Sequence, residues 1–210
     1  MKVMDTVSGH KPCRLTAKGA AMRTRIIEAA ADLIDEHGVN GTSLDDVMAK
    51  SGASKSQVYH YFRDKDDLVC EVISHHTHQV IDSFRPYMES LDSMDALIAW
   101  KNAVINGCQM KGGRGGCPIG SIANEMADQC EVARAVLAGC FETMIEQIES
   151  GLTSMKAKGV LRRDADPHRL SVAILGAIQG GMLLAKTERS TVPLELAMDM
   201  ALDHIARHLA

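Results

Sequence analysis

Between Lys55 and Phe62 stand Lys55, Ser56, Gln57, Tyr59 and His60, five side chains that can hydrogen-bond and none that is acidic. If Val58 and Phe62, one helical turn apart, face a core, those five form an outer surface suited to a polyanion. Lys55 can donate to guanine O6 or N7, Gln57 can pair bidentately with adenine, and Ser56 is small enough to allow close approach. Tyr59, His60 and Tyr61 suit phosphate oxygens, as do Lys65 and, at a helix N-terminus, Thr42 with Ser43 beside it. A plainer role for the same residues is a Tyr-rich helix end plugging a domain interface.

A second place for chemistry is Cys117. It stands directly before Pro118, hence at the cap of a helix, where oriented amides and the helix dipole stabilise a thiolate, and Lys111 and Arg114 act in the same direction. Reaction with an oxidant or electrophile would shift the adjoining loop; the alternative is a small buried residue beside a pocket. Gly112, Gly113, Gly115 and Gly116 around Arg114 lack the preceding strand and following Lys-Ser/Thr of a phosphate loop, and read as a flexible connector. His75, His76 and His78 put two imidazoles three apart, but without a Cys or carboxylate at matching spacing they read as a solvated helix face. No metal, cofactor or catalytic residue is expected.

These residues need elements to hold them. The chain has 210 residues, 46% hydrophobic and 24% charged, with 13 Met, only 3% aromatics and five prolines, a composition that favours packed helices over sheets and excludes disorder. The net charge of −4 argues against a protein that coats nucleic acid indiscriminately. Residues 1–65 nevertheless hold ten Lys and Arg against eight Asp and Glu, leaving the acidic excess to the remainder. No basic start precedes a long apolar stretch, so no signal peptide is expected, and the chain is expected in the cytoplasm with six cysteines as thiols. The apolar run Val172–Ala185, interrupted by Gln179, is shorter than the ~20 residues of a membrane span and reads as a helix buried on several sides, with no membrane partner.

Residues 1–17 read as a mobile basic arm. A helix follows from about Lys18, with Ile26, Ile27, Ala30, Leu33 and Ile34 apolar, stopped by Gly38 before an Asn40-Gly41 turn. Thr42 or Ser43 caps a short second helix, with Asp45 or Asp46 completing the box. Ser51-Gly52 ends it, and Ser54 caps a third, from Lys55 to about Phe62. Two short helices joined by a tight glycine turn make a helix-turn-helix. Further helices are expected from Asp64 until Pro86 interrupts, over about 94–110, from Pro118, over about 131–158 with an apolar stripe from Val132 to Met155, from Pro167, and from Pro193. In the last of these Ala197, Ala201, Ile205 and Leu209 lie four apart.

The stretch from Thr42 to Leu68, TSLDDVMAKSGASKSQVYHYFRDKDDL, closely resembles the DNA-binding signature of the TetR/AcrR family of transcriptional regulators, and the likeness runs over about residues 18–75. One departure is Ser56, where many members have Gly. The segment Gly116–Glu125 is similar to that of a subgroup including drug-responsive and electrophile-responsive members. The resemblance implies an all-α chain with a three-helix DNA-binding domain over 18–66. Behind it, 67–210 would be a helical bundle for ligand sensing and dimerisation. It implies a homodimeric repressor, bound to a palindromic double-stranded DNA operator and released by a small-molecule or electrophile effector. The effector candidates are Cys108, Cys117, Ile122, Met126, Phe141 and Met144. The final two helices would pair two copies, through Gly176, Gly180, Leu184, Ala201 and Ile205, although the two glycines equally suit packing within one chain. The competing classes are a thiol-dependent enzyme built on Cys117 and a helical adaptor for protein partners. Neither explains the helix-turn-helix.

Overall fold

The computed structural model describes residues 15–210. Most of the expected basic arm, and Cys13, lie outside the described residues. Among those residues there are nine α-helices and no strand, with one isolated antiparallel bridge between Leu161 and Leu209. The helices are α1 (Ala17–His37), α2 (Leu44–Ser51), α3 (Lys55–Tyr61), α4 (Lys65–Met88), α5 (Met94–Met110), α6 (Pro118–Met126), α7 (Glu131–Ala157), α8 (Pro167–Glu188) and α9 (Val192–Ala206). The all-α expectation holds.

Two compact units are present, and they divide the chain differently from the expected boundary at 66 and 67. One comprises the described residues through His78 with Ser121–Cys140, and the other Gln79–Gly120 with Phe141–Ala210. In the first, Thr16 caps α1 by accepting the Gly19 amide at 3.1 Å. Ile26, Ile27, Ala30 and Ile34 are buried and α1 contacts both α2 and α3, so the short helices pack on a longer one. α1 stops at Gly38, whose φ of +76° favours glycine. At Gly41 a Cβ would stand 2.3 Å from the His37 carbonyl oxygen, so only glycine fits that turn. The start of α4 buries Leu68, Val69, Val72 and Ile73. His76 of α4 is buried with Nε2 3.3 Å from Asp35 Oδ1 of α1, so this imidazole faces α1 rather than forming the expected solvated face.

α4 runs past the position where Pro86 was expected to interrupt it. The proline lies in the last turn, where its missing N–H removes one bond, and the Glu89 amide still donates to Arg85 O at 3.0 Å. The stripe of α7 also differs at its start. Leu137, Cys140, Met144, Ile148, Leu152 and Met155 are buried, but Val132 in the first turn is exposed.

In the second unit α8 packs on α9, and α5 contacts α9. Gly181 permits the closest approach, since a Cβ there would lie 2.9 Å from Leu194 Cα. Asp166 caps α8 by accepting the Arg169 amide at 3.1 Å. Lys101 of α5 meets Asp199 of α9 at 2.6 Å. The single tryptophan, Trp100, is buried, and its indole N–H has no hydrogen-bond partner among the described residues. α8 is 22 residues long and, by length and composition alone, apolar enough to cross a membrane, a test that core helices also pass. Its contact with α9 accounts for one apolar face only. Val172, Leu183 and Leu184 are exposed on α8, as are Val192, Leu196 and Met200 on α9, so α8 is not enclosed on several sides within one chain. The inward residues of α9 are Leu194, Met198, Leu202 and Ile205.

The glycine-rich loop is built rather than slack. Gly112, Gly113, Gly115 and Gly116 all have positive φ, and Gly113 is buried against the turn after α8. A Cβ on Gly113 would lie 3.0 Å from Ala185 O, Arg189 C and Ser190 N. With φ at +71°, Gly113→Ala is expected to destabilise the chain by about 2 kcal/mol, roughly 4–8 °C in Tm. Gly107→Ala, inside α5 with open space around its Cα, is expected to stabilise by up to about 1 kcal/mol. Calorimetry on the two variants checks both signs.

Candidate nucleic-acid interface

α2 and α3 have eight and seven residues, too few to be helical alone, since isolated helices need about 12–15. Local hydrogen bonds fix their starts. Ser43 Oγ accepts the Asp46 amide at 3.1 Å while Asp46 Oδ2 accepts the Ser43 amide at 3.0 Å, which selects Ser43 over Thr42 as the cap. The Ser43 hydroxyl bond holds the Asp46 carboxyl below the usual range. Any stability it lends is present above the ordinary carboxylate pKa and lost as pH falls through the lowered one. Ser54 repeats the device, accepting the Gln57 amide at 3.3 Å while Gln57 Oε1 accepts the Ser54 amide at 2.9 Å. Between the helices Gly52 adopts φ +68° and its amide donates to Met48 O at 2.9 Å.

α3 then divides cleanly. Val58 is buried within it and Phe62 behind it, while Lys55, Ser56, Tyr59 and His60 are exposed and Gln57 and Tyr61 half-buried. Lys55 Nζ stands 6.0 Å from the centroid of the Tyr59 ring, and His60 packs edge-on to Tyr61 at 4.9 Å. Arg23 of α1 lies over Phe62 at 5.5 Å and pairs with Glu71 of α4 at 2.5 Å, so the base of α3 is held between two longer helices. Lys65, half-buried, opens α4.

Two expected contacts change. Thr42 is buried, and its hydroxyl donates to Gly38 O at 2.8 Å, so it is directed inward and does not offer itself to a phosphate. The Gln57 carbonyl oxygen is engaged at the cap, so bidentate pairing with adenine requires that bond to break. Sequence reading passed over Glu125, which reaches the turn before α2 from α6. No local pattern signals a bond between residues 86 apart.

Residues 26–72 match the family described as bacterial regulatory proteins, tetR family, and residues 93–200 match the C-terminal domain of LmrA/YxaF-like transcriptional regulators. The chain belongs to the TetR family. It is 29% identical over 177 residues to an uncharacterised HTH-type transcriptional regulator of Mycobacterium tuberculosis, covering 83% of this chain and 89% of that one. It is 23% identical over 176 residues to the HTH-type transcriptional repressor DhaR of a Mycobacterium species, covering 83% and 87%. A TetR transcriptional regulator from Chloroflexus aurantiacus superposes with a TM-score of 0.80 at 25% identity, over 92% and 98% of the two chains. This TetR-family chain is a DNA-binding transcriptional regulator whose α2 and α3 form the helix-turn-helix.

The sensing candidates are distributed over both units. Ile122 and Met126 are buried in the first, whereas Cys108, Cys117, Phe141 and Met144 belong to the second, Met144 buried and the others half-buried. Cys117 Sγ accepts the Gly120 amide at 3.4 Å, so its sulfur does sit at the start of α6. Of the dimer candidates, Gly176, Gly180 and Leu184 are exposed, Ala201 is half-buried, and Ile205 is buried within its own chain. Sequence reading missed the exposed Val192, Leu196 and Met200, which recur every four residues.

Burial pushes the Cys70 thiol up to about 12, and burial likewise raises Cys140, against the opposing hydroxyl of Thr77. Partial burial raises Cys108, with Lys111 opposing. The thiolate, which is the reactive form, is therefore scarce at Cys70 at pH 8. Iodoacetamide labelling of the native protein at pH 8, read by peptide mass spectrometry, is expected to leave Cys70 and Cys140 unmodified until denaturant is added.

Proposed function

We propose that two copies of this chain bind an approximately palindromic operator as a dimer, with α3 of each in the major groove, and repress a promoter until an effector releases them. The observation that carries this is the division of α3, with its apolar residues buried and an outer face of hydrogen-bonding groups without a carboxylate. Lys55 donates to guanine, Ser56 allows close approach, and the Gln57 amide reaches adenine. Ser43, Tyr59, His60, Tyr61 and Lys65 fix the register on phosphates. In functional terms 18–66 reads DNA and 67–210 senses and dimerises, in the cytoplasm. The repressor sign is supported by the name of DhaR, which is a repressor.

The dimer surface comprises the exposed faces of α8 and α9. A groove of about 530 Å³ runs between these helices, lined by Ala173, Ala177, Leu196, Met200 and Ala201, with Ile205 beneath it. Gly176 and Gly180 offer bare backbone with nothing within 4 Å of an added Cβ, which lets a partner helix approach closely. Two-fold pairing places the recognition helices about 34–36 Å or a multiple apart. The effector is a small molecule or an electrophile, and the residues offered to it are Cys108, Cys117, Phe141 and Met144 in one unit and Ile122 and Met126 in the other. A coupling of about 1–3 kcal/mol lowers operator affinity 5–150-fold.

Fluorescence anisotropy with DNA from upstream of the gene, at two salt concentrations, tests the operator reading. The reduced protein is expected to bind one palindrome tightly, with affinity falling as salt rises. Lys55→Ala and Tyr59→Ala are each expected to weaken binding about tenfold at unchanged helicity. No binding by the wild type at low salt would overturn the proposal. Met200→Asp places a charge on the proposed interface, and sedimentation velocity is expected to show it as a monomer at concentrations where the wild type is a dimer. A dimeric variant would move the interface elsewhere.

A further inference from the structure

α6 is a single nine-residue helix with Cys117 at its start and Glu125 in its last turn. A carboxylate at a helix C-terminus faces the negative end of the dipole, an unfavourable place for it. What holds Glu125 there lies outside α6. Its Oε1 accepts the Val39 amide at 3.2 Å and its Oε2 accepts the Asn40 amide at 3.0 Å. Two successive peptide N–H groups on one carboxylate are charge-assisted bonds, among the stronger kind. The approach is tight. A Cβ on Gly38 would stand 2.8 Å from Oε1, so the carboxylate lies against a bare Cα.

The segment so held is the whole entry into the helix-turn-helix. It leaves α1 at Gly38 and reaches the cap of α2 at Ser43. It is also folded on itself, since the Thr42 hydroxyl donates to Gly38 O at 2.8 Å and the Thr42 amide to Val39 O at 3.3 Å. Displacing Val39 and Asn40 therefore carries Thr42 and Ser43 with them.

We propose that Glu125 is a positioning residue for operator binding, tying the last turn of α6 to the Gly38–Asn40 turn and thereby setting the placement of α2 and α3. This rests on the operator reading of the preceding subsection.

The test compares the wild type with Glu125→Ala, Glu125→Gln and Gly38→Ala, and uses Asp128→Asn, an exposed charge just beyond α6, as control. Each dimer is measured by anisotropy on operator and on unrelated DNA, and by amide hydrogen exchange over 38–43. The Gln variant keeps the shape but turns one acceptor into a donor facing an N–H. Gly38→Ala pushes the carboxylate away from the other side and adds backbone strain at φ +76°. All three are expected to lose about tenfold in operator affinity, with faster exchange confined to 38–43. Affinity for unrelated DNA and the number of phosphates neutralised are expected to stay as in the wild type, a split that general destabilisation would not produce. The double variant Gly38→Ala/Glu125→Ala is expected to be no worse than Gly38→Ala alone. Wild-type operator affinity in both Glu125 variants, or unchanged exchange over 38–43, overturns the proposal while leaving the operator reading intact. Failure of the wild type to bind sinks both.

Discussion

Everything at the reading end of this protein depends on burying Val47, Val58 and Phe62. Helices of eight and seven residues do not persist in water, because the nucleation cost is spread over too few hydrogen bonds. α2 and α3 are stable only as appendages of α1, which contacts both. Arg23 completes the attachment, stacking on Phe62 while its charge is matched by Glu71. Once these inward residues hold the two helices, their outer faces carry no packing duty. That freedom lets Lys55, Ser56, Tyr59 and His60 be chosen for what they touch outside the protein.

The second unit solves the opposite problem. Its terminal helices carry more apolar surface than one chain can bury, with Leu183, Leu184, Leu196 and Met200 left in solvent. α8 meets α9 through Gly181 and Leu194, while on the side of Gly176 and Gly180 nothing approaches. The adjacent glycines Gly180 and Gly181 thus face different ways, and which face each belongs to follows from the neighbouring helix rather than from the helix itself.

Local chemistry was legible in the sequence. Gly38, Gly41, Gly52, Ser54, Pro118, Asp166 and Pro193 mark helix ends because caps and turns act within a few residues, and the structure places helix ends at or beside each. The TetR signature likewise lies in one continuous stretch. What was not legible depends on distant partners. Thr42 and Ser43 are equally good caps on paper, and what separates them is the bond that turns the Thr42 hydroxyl to Gly38 O and leaves Ser43 to pair with Asp46. Val132 matches the α7 stripe by spacing but falls outside it. The apolarity of α8 suggested enclosure, whereas Val172, Leu183 and Leu184 stay exposed within the chain. Glu125 shows the limit most plainly, since the two amides it binds belong to residues some 85 positions earlier.

Trp100 gives the molecule a built-in optical reporter. As the chain's one tryptophan, buried in the second unit with an indole N–H lacking an acceptor, it is responsible for all indole fluorescence. An indole in apolar surroundings emits to the blue of one in water, and any group that arrives to accept its proton changes the excited-state dipole's environment. Excited where tyrosine does not absorb, the emission of this chain is therefore a spectrum of its second unit alone, free of signal from Tyr59 and Tyr61 on α3.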